Sequence, residues 1–446
     1  MTDAPATDHR LPTSSTRSRR RLSWDVLRVV AVFCVLLQHA THTGPANHAE
    51  LGTLPFTFVL SMGASTLMVI SAYFACASLA KGRPGRFLRN RLARMMPAFA
   101  AAVVLTFLVQ RWVAPEGWGQ LDGRDVVFNI LLLQAWLPDV RMVDFAYWTV
   151  PVQVVAFAAG ALLCGRALGR GRALRLLLWA LVAVPLIVRL GTFEPGPLRT
   201  ASDGLGLHRA QLFAAGAAIW LWSRGRLGGP HLACLLTAAV VAQEIHSGEL
   251  ASTIGFGVLL LAVCLAAGGP DWDRPLLRAL SRPITWLAGI SYGVYLVHQE
   301  IGNVVMVRLA ERGFTSWSLL AGFVGSAVLL GWLLTVLVER PAHRWLTGPQ
   351  PAWLASAVLF SWVRPPLFRP GSVLARASVT GQRRTGRLLG AEPGRGPAQI
   401  QRGSGGSALP SAEPSPRPVS QASARSAEAR TVSGIAVSPP NNSQVR

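Results

Sequence analysis

Charged residues are scarce in this chain of 446 residues: they make up 14% of it, whereas soluble globular proteins average about 25%. Hydrophobic residues contribute 51%. Apolar stretches of the roughly 20 residues needed to cross a bilayer recur about ten times between residues 25 and 338. The composition therefore excludes a soluble globular protein. It predicts an all-α fold, a polytopic membrane helix bundle of about ten transmembrane helices.

Lysine and cysteine are also rare. Lys81 is the only lysine, so the net charge of +22 comes from arginine, and with the many Ala, Gly and Pro residues this bias indicates a GC-rich, bacterial coding sequence. The arginines lie at helix ends and in the tail rather than in one folded patch, so nucleic acid is not an expected partner. The five cysteines lie in apolar segments without a C-x-x-C pair, and His39 and His42 lack a third ligand. We expect no metal and no bound cofactor.

The placement of arginine also predicts orientation, because basic loops stay on the cytoplasmic side of a membrane. We expect residues 1–23 to form a basic cytoplasmic N-terminus, residues 24–346 the membrane domain, and residues 347–446 a disordered, cytoplasmic tail rich in Arg, Pro, Ser and Gly. The protein would cross the cell membrane many times, with both termini in the cytoplasm. Residues 126–137 are too few for a comfortable span, and we interpret them as a re-entrant or protein-buried segment.

Polar side chains inside the first predicted span need an explanation, because lipid disfavours them. Arg28 and His39 are eleven residues apart. At about 100° and ~1.5 Å per residue they share one helix face, offset by only about 20° and separated by ~16 Å along the axis. Two alternatives stay open. Asp25 and Arg28 could form a structural ion pair, and His39 could be an interfacial residue satisfied by water.

Two further clusters of polar residues lie near predicted span ends. Tyr295 and His298 are three residues apart in the penultimate span and share a face, although a packed polar contact between helices would explain them equally well. Trp148 and Gln153 flank Pro151 at the start of another span. For Trp148 the alternative is the belt of aromatic residues at a membrane surface.

These clusters, in this order, resemble the acyltransferase-3 family of integral membrane O-acyltransferases over residues 23–346. The family pattern is matched in the first helix, before a proline in the third helix, in the penultimate span and after the last helix. The matching residues are Asp25, Leu27, Arg28 and His39; Arg91, Arg94 and Pro97; Ser291, Tyr292, Gly293, Tyr295, Leu296 and His298; and Glu339, Arg340 and Pro341. Gln153 is a departure, because the family has a glutamate there.

The resemblance implies an enzyme that moves an acyl group from acyl-coenzyme A (acyl-CoA) to a hydroxyl of a carbohydrate. It supports His39 as the general base and Arg28 as a second catalytic residue, since histidine titrates near neutral pH. Arg91 and Arg94 would hold the donor phosphates. Substrate contacts are expected from Tyr295, His298, Trp148 and Gln153. A multi-pass transporter or flippase and a non-catalytic membrane scaffold are the alternatives; a transporter should show paired, interrupted helices in two repeated halves, and none is evident.

Overall fold

The computed structural model describes residues 20–118, 120–166, 169, 171–191 and 196–348. The predicted tail lies almost wholly outside these residues, as does most of the N-terminal segment. No β-strand occurs among the described residues. The α-helices are α1 Leu22–Gln38, α2 Gly44–Asn47, α3 Gly63–Leu79, α4 Pro84–Trp112, α5 Gly123–Ile130, α6 Thr149–Leu163, α7 Gly171–Gly191, α8 Pro197–Gly204, α9 Ala210–Ser223, α10 Gly229–Ser247, α11 Leu250–Gly268, α12 Pro275–Ala279, α13 Ser281–Val297, α14 Gln299–Ala310, α15 Ser316–Leu334 and α16 Arg340–Thr347.

Six helical stretches in the described part of the chain are long and apolar enough to cross a membrane, and two shorter apolar helices accompany them. The long stretches are Leu22–Asn47, Pro84–Trp112, Phe145–Leu163, Gly171–Val188, Leu250–Gly268 and Ser316–Thr347. The shorter ones are Gly63–Leu79 and Gly229–Ile245. A helix pairs its backbone N–H and C=O groups internally, which is necessary because lipid offers them no hydrogen-bond partners. The all-α membrane helix bundle is confirmed, whereas the count of ten spans stays a prediction.

The segment 126–137 does not form a long helix. It contains the end of α5, which has eight residues and is therefore about 12 Å long. Asp122 and Asp125 cap the start of α5 reciprocally, and Leu132 adopts a positive φ of 63° after its end. The buried Asn129 amide bonds backbone groups of Arg141 and Val143. The next loop is thereby tied to α5, and the segment is too short to span.

Three helices are interrupted close to the sequence motifs. A π-helical turn, His39–Thr43, follows α1, and another, Thr335–Glu339, follows α15. His298 separates α13 from α14. Interruptions of this kind free backbone groups and re-aim side chains, which is why they concentrate at functional sites.

Glycines let the helices around α1 approach closely. A Cβ at Gly63 of α3 would clash with the backbone of α1 at Ala31, and a Cβ at Gly293 of α13 would clash with the backbone of α15 at Gly331. Small residues at such crossings are the usual means of packing helices in membranes, where apolar burial between helices is weak. The first crossing holds α1, with His39 at its end, against α3, and the second holds α15 against α13, which also packs on α1.

Candidate active site

A cavity of about 440 Å³ is lined by residues of α1, α3, α4, α6, α13 and α16, and we call it the arginine cavity. Its lining includes five arginines: Arg20, Arg28, Arg91, Arg94 and Arg340. The polar residues Ser71, Gln153, Tyr292 and Tyr295 complete one wall. In Gln153 the amide oxygen accepts a hydrogen bond of 3.0 Å from the Ser71 hydroxyl. An amide therefore occupies this wall where the family has a carboxylate.

Only part of the positive charge in the arginine cavity is neutralised. The buried Asp25 accepts from Arg20 at 2.6 Å and from Arg28 at 3.4 Å. The buried Glu339 accepts from Arg94 at 2.7 Å. Two carboxylates against five arginines leave an excess of three positive charges, which suits a ligand with several negative charges.

Unlike Arg20, Arg28 and Arg94, Arg91 forms no ion pair with the described part of the chain. Its guanidinium lies against the rings of Phe87 and Phe157, 5.7 and 5.2 Å from their centroids. Such stacking holds the plane of an arginine while leaving its N–H groups able to donate to a ligand.

A second cavity, of about 220 Å³, contains His39, and we call it the histidine cavity. Gln38 and Thr43 line it beside His39 and bond each other at 2.9 Å across the π-helical turn. Ala64 of α3 lines both the histidine cavity and the arginine cavity. A residue with a single methyl group therefore lies at their junction.

His39 is paired with another imidazole. Its Nδ1 lies 3.2 Å from Nε2 of His298, and the two ring centroids are 4.9 Å apart. On the far side of the His298 ring, Nδ1 lies 2.7 Å from the backbone carbonyl oxygen of Tyr295. The Tyr295 hydroxyl in turn donates to the carbonyl of Ala146 at 3.2 Å. His298 is fully buried and lines none of the cavities described here.

A third cavity, of about 1030 Å³, shares lining residues with the histidine cavity, and we call it the tryptophan cavity. Trp148, Phe145 and Arg209 line both. The Arg209 guanidinium lies 4.3 Å from the Trp148 ring centroid. Trp136 adds a second indole to the lining.

Burial affects two polar side chains of the tryptophan cavity, Gln134 and Asp203. Gln134 is 8% exposed, and both atoms of its amide lack a hydrogen-bond partner among the described residues. An unpaired buried amide is costly, which suggests that a ligand supplies its partners. Burial raises the pKa of Asp203, although Arg199 at 3.8 Å acts against this shift.

The structure divides the residues singled out from the sequence among these places. Arg28, Arg91, Arg94, Gln153 and Tyr295 line the arginine cavity. His39 and Trp148 line the histidine cavity, and His298 contacts His39 from behind. Arg28 and His39 share a helix but not a cavity.

Sequence reasoning assigned no role to several lining residues: Arg20, Ala64, Gln134, Arg209 and Arg340. The E-R-P motif contains Arg340 and was a usable signal. Ala64 and Gln134 carry no signal, because a small residue or an amide in an apolar sequence is ordinary.

Comparison with known proteins identifies a family. A family model described as an acyltransferase domain matches residues 21–336, which is most of the chain. The match contains every residue proposed for the site from the sequence. No curated protein and no solved structure matches the chain.

Proposed function

Because the chain belongs to the acyltransferase-3 family of membrane acyltransferases, we propose that it transfers an acyl group from acyl-CoA to a hydroxyl of a carbohydrate. The observation that carries this proposal is a series of three cavities, neighbours sharing lining residues, with His39 in the middle one. The donor binds in the arginine cavity and the acceptor in the tryptophan cavity. Ala64 marks the entry of the acyl group, and Trp148 marks the entry of the acceptor.

The arginine cavity suits the phosphates of coenzyme A. Arginine presents a planar set of donors that matches phosphate oxygens, and the excess of three positive charges attracts a polyanion. Arg91 and Arg94 are the principal phosphate ligands in this proposal. Acyl-CoA is made in the cytoplasm, so the arginine cavity would open there, as the positive-inside rule favours.

Arg28 binds the donor in this proposal and does not act at the reacting atoms. It lines the arginine cavity beside Asp25, whereas His39 lines the next cavity. The helix between them is regular from Leu22 to Gln38, so the axial distance of about 16 Å between the two residues holds. That distance exceeds the reach needed for one proton transfer.

His39 is the general base for the acceptor hydroxyl. The acceptor oxygen bonds to the thioester carbonyl carbon, and the carbon–sulfur bond then breaks. His39 takes the hydroxyl proton during attack and returns it to the departing thiolate of coenzyme A. The charges and atoms of the two substrates balance without a further reactant.

The tryptophan cavity suits a carbohydrate acceptor. The faces of a pyranose ring carry C–H groups that pack on indoles, and its hydroxyls need donors and acceptors. Trp136 and Trp148 provide the first kind of surface, and the unpaired amide of Gln134 provides the second.

Mass spectrometry of cell-surface glycans and secreted glycosides, with and without the gene, tests this function. A glycan that loses an acyl mass in the deletion strain, and regains it with the wild-type gene but not with His39→Ala, would support it. Unchanged glycans and glycosides together with an acyl mass lost from another class of molecule would remove the carbohydrate from the proposal.

Labelling of single cysteines in intact cells tests the proposed orientation, with both termini in the cytoplasm of a cell-membrane protein. After the native cysteines are replaced by serine or alanine, an impermeant reagent should modify a probe at Gly117 but not probes at Gly82 or Gly225. Labelling at Gly82 would place the loop before α4 outside and invert the assignment of the donor side.

A further inference from the structure

His298 is placed for a role that substrate contact would not require. It occupies the break between α13 and α14, is fully buried and contacts His39 directly. Because it lines none of the three cavities, neither donor nor acceptor meets it. Its effect on catalysis must therefore act through His39.

The partners of the His298 ring determine where its proton lies. A backbone carbonyl can only accept, so Nδ1 of His298, 2.7 Å from the Tyr295 carbonyl oxygen, must be the nitrogen that carries hydrogen. In a neutral imidazole the other nitrogen is then an acceptor. That acceptor, Nε2, lies 3.2 Å from Nδ1 of His39.

The same logic continues into His39. Its Nδ1 must donate to His298, which leaves the lone pair of His39 on Nε2. We infer that His298 is a positioning residue that fixes His39 in the tautomer with hydrogen on Nδ1, so that Nε2 is the nitrogen that accepts the proton of the acceptor hydroxyl. This inference rests on the proposed role of His39 as the base.

The pair also works after proton transfer. When Nε2 of His39 takes the hydroxyl proton, Nδ1 keeps its hydrogen and its bond to His298. No rearrangement is needed, and the new positive charge faces an accepting nitrogen. A base that is already oriented avoids the cost of reorientation during reaction.

The surroundings hold His298 in place. The Phe323 ring packs against it edge to face at 6.3 Å. The Asp144 carboxylate accepts from the backbone N–H of Ala146 at 2.8 Å and of Glu300 at 3.1 Å, which ties the start of α14 to the turn just before α6. The Tyr295 hydroxyl donates to the backbone carbonyl of the same Ala146. Tyr295 and Glu300, on either side of His298, are thus tied to this turn, and the ring itself bonds Tyr295 and His39.

The first test reads the tautomer directly and needs no turnover. Nitrogen NMR of ¹⁵N-histidine-labelled protein, with the signals assigned by loss in His39→Ala, should show His39 with hydrogen on Nδ1 and none on Nε2. In His298→Leu the preference should shift towards hydrogen on Nε2, the form that free histidine favours in water. Hydrogen on Nε2 in the wild type, or no change in His298→Leu, would overturn the inference.

The second test separates positioning from packing. With acetyl-CoA and the acceptor identified by mass spectrometry, His298→Leu should lower kcat by about 10² to 10⁴-fold, the range for a misoriented base, and leave the KM for acetyl-CoA unchanged. His298→Gln should recover part of this loss, because its side-chain oxygen can accept from His39. Equal losses in both folded variants, or a change in the KM for acetyl-CoA alone, would contradict the inference.

These tests distinguish this inference from the proposed function. If His39→Ala retained full transfer while NMR still showed the fixed tautomer, the role of His39 as base would fail and the pairing would stand. If transfer needed His39 but the tautomer were wrong, only the inference would fail. Acetyl-CoA binding and elution as a single species verify that each variant is folded.

Discussion

The arginine cavity and the tryptophan cavity lie at opposite ends of the same series, and they are built from different kinds of side chains. The first has five arginines against two carboxylates. The second is mostly apolar, with two indoles and one unpaired buried amide. In the proposed function the donor, which always carries phosphates, is held by charge, whereas the acceptor is recognised by shape and hydrogen bonds. His39 lines the histidine cavity between the other two, and Ala64 lines both the histidine cavity and the arginine cavity.

Replacing His39 by alanine should have the largest effect, because the proposed reaction between the substrates of the arginine and tryptophan cavities needs its base. We expect transfer to fall by at least about 10²-fold, the usual contribution of a general base. Binding of acetyl-CoA, followed by isothermal calorimetry, should be unchanged. The matched control is His42→Ala, since His42 is exposed on the same π-helical turn. Comparable losses in both variants would show that the turn itself matters rather than the base.

Replacing Ala64 by leucine should separate the two cavities without damaging either. The added side chain would fill the junction, and we expect transfer to fall about tenfold or more, since one misplaced apolar group changes discrimination by that order. The loss should be greater for butyryl-CoA than for acetyl-CoA. Ala80→Leu, at the exposed position directly after the same helix, is the control. A loss independent of acyl length would mean that Ala64 does not lie on the acyl path.

Replacing Arg91 by alanine should weaken the binding of acetyl-CoA and leave the binding of the acceptor unchanged. Loss of hydrogen bonds to a charged group costs about 1.5–3 kcal/mol, so the KM for acetyl-CoA should rise about tenfold or more. Arg89→Ala, on an exposed face of the same helix, should change little. Arg94→Ala is harder to interpret than Arg91→Ala, because it also leaves the buried Glu339 carboxylate without its ion-pair partner. If the KM for the acceptor rose instead, the arginine cavity would be assigned to the wrong substrate.

Replacing Gln134 by leucine should give the smallest effect and confine it to the acceptor. A neutral hydrogen bond contributes about 0.5–1.5 kcal/mol, so the KM for the acceptor should rise about two- to tenfold. The KM for acetyl-CoA should not move. Steady-state kinetics with each substrate varied in turn will show this. An unchanged acceptor KM would indicate that Gln134 is merely an unsatisfied amide and that the acceptor binds elsewhere.

Much of the fold could be predicted because charge and hydropathy are read residue by residue. The scarcity of charge pointed to helices in lipid. The resemblance to the acyltransferase-3 family made Arg91 and Arg94 candidate ligands of the donor phosphates, and this stays a prediction. The motif containing His39 identified one candidate base. The separation of Arg28 and His39 into different cavities was not predictable in this way, because residues on one helix face can still line separate cavities.

The lining of the tryptophan cavity and of its neighbour was harder to predict, because these residues have ordinary local sequence contexts. Nothing around Gln134 distinguishes it from an amide satisfied by water, and Ala64 is one alanine among many. Their roles depend on which helices lie opposite. Sequence patterns describe one helix at a time, whereas a cavity is a property of several.

By itself the sequence determined that this chain is a helical membrane protein with an arginine-rich end, because the bilayer excludes charge from any apolar span and leaves it at the ends. The tertiary structure alone decided that His39 meets His298, 259 residues away, and that Ala64 lies between two cavities. Helices pack through small residues such as Gly63 and Gly293, and the resulting crossings set which side chains face one another. Hydrogen bonds across such crossings form only once the helices are packed.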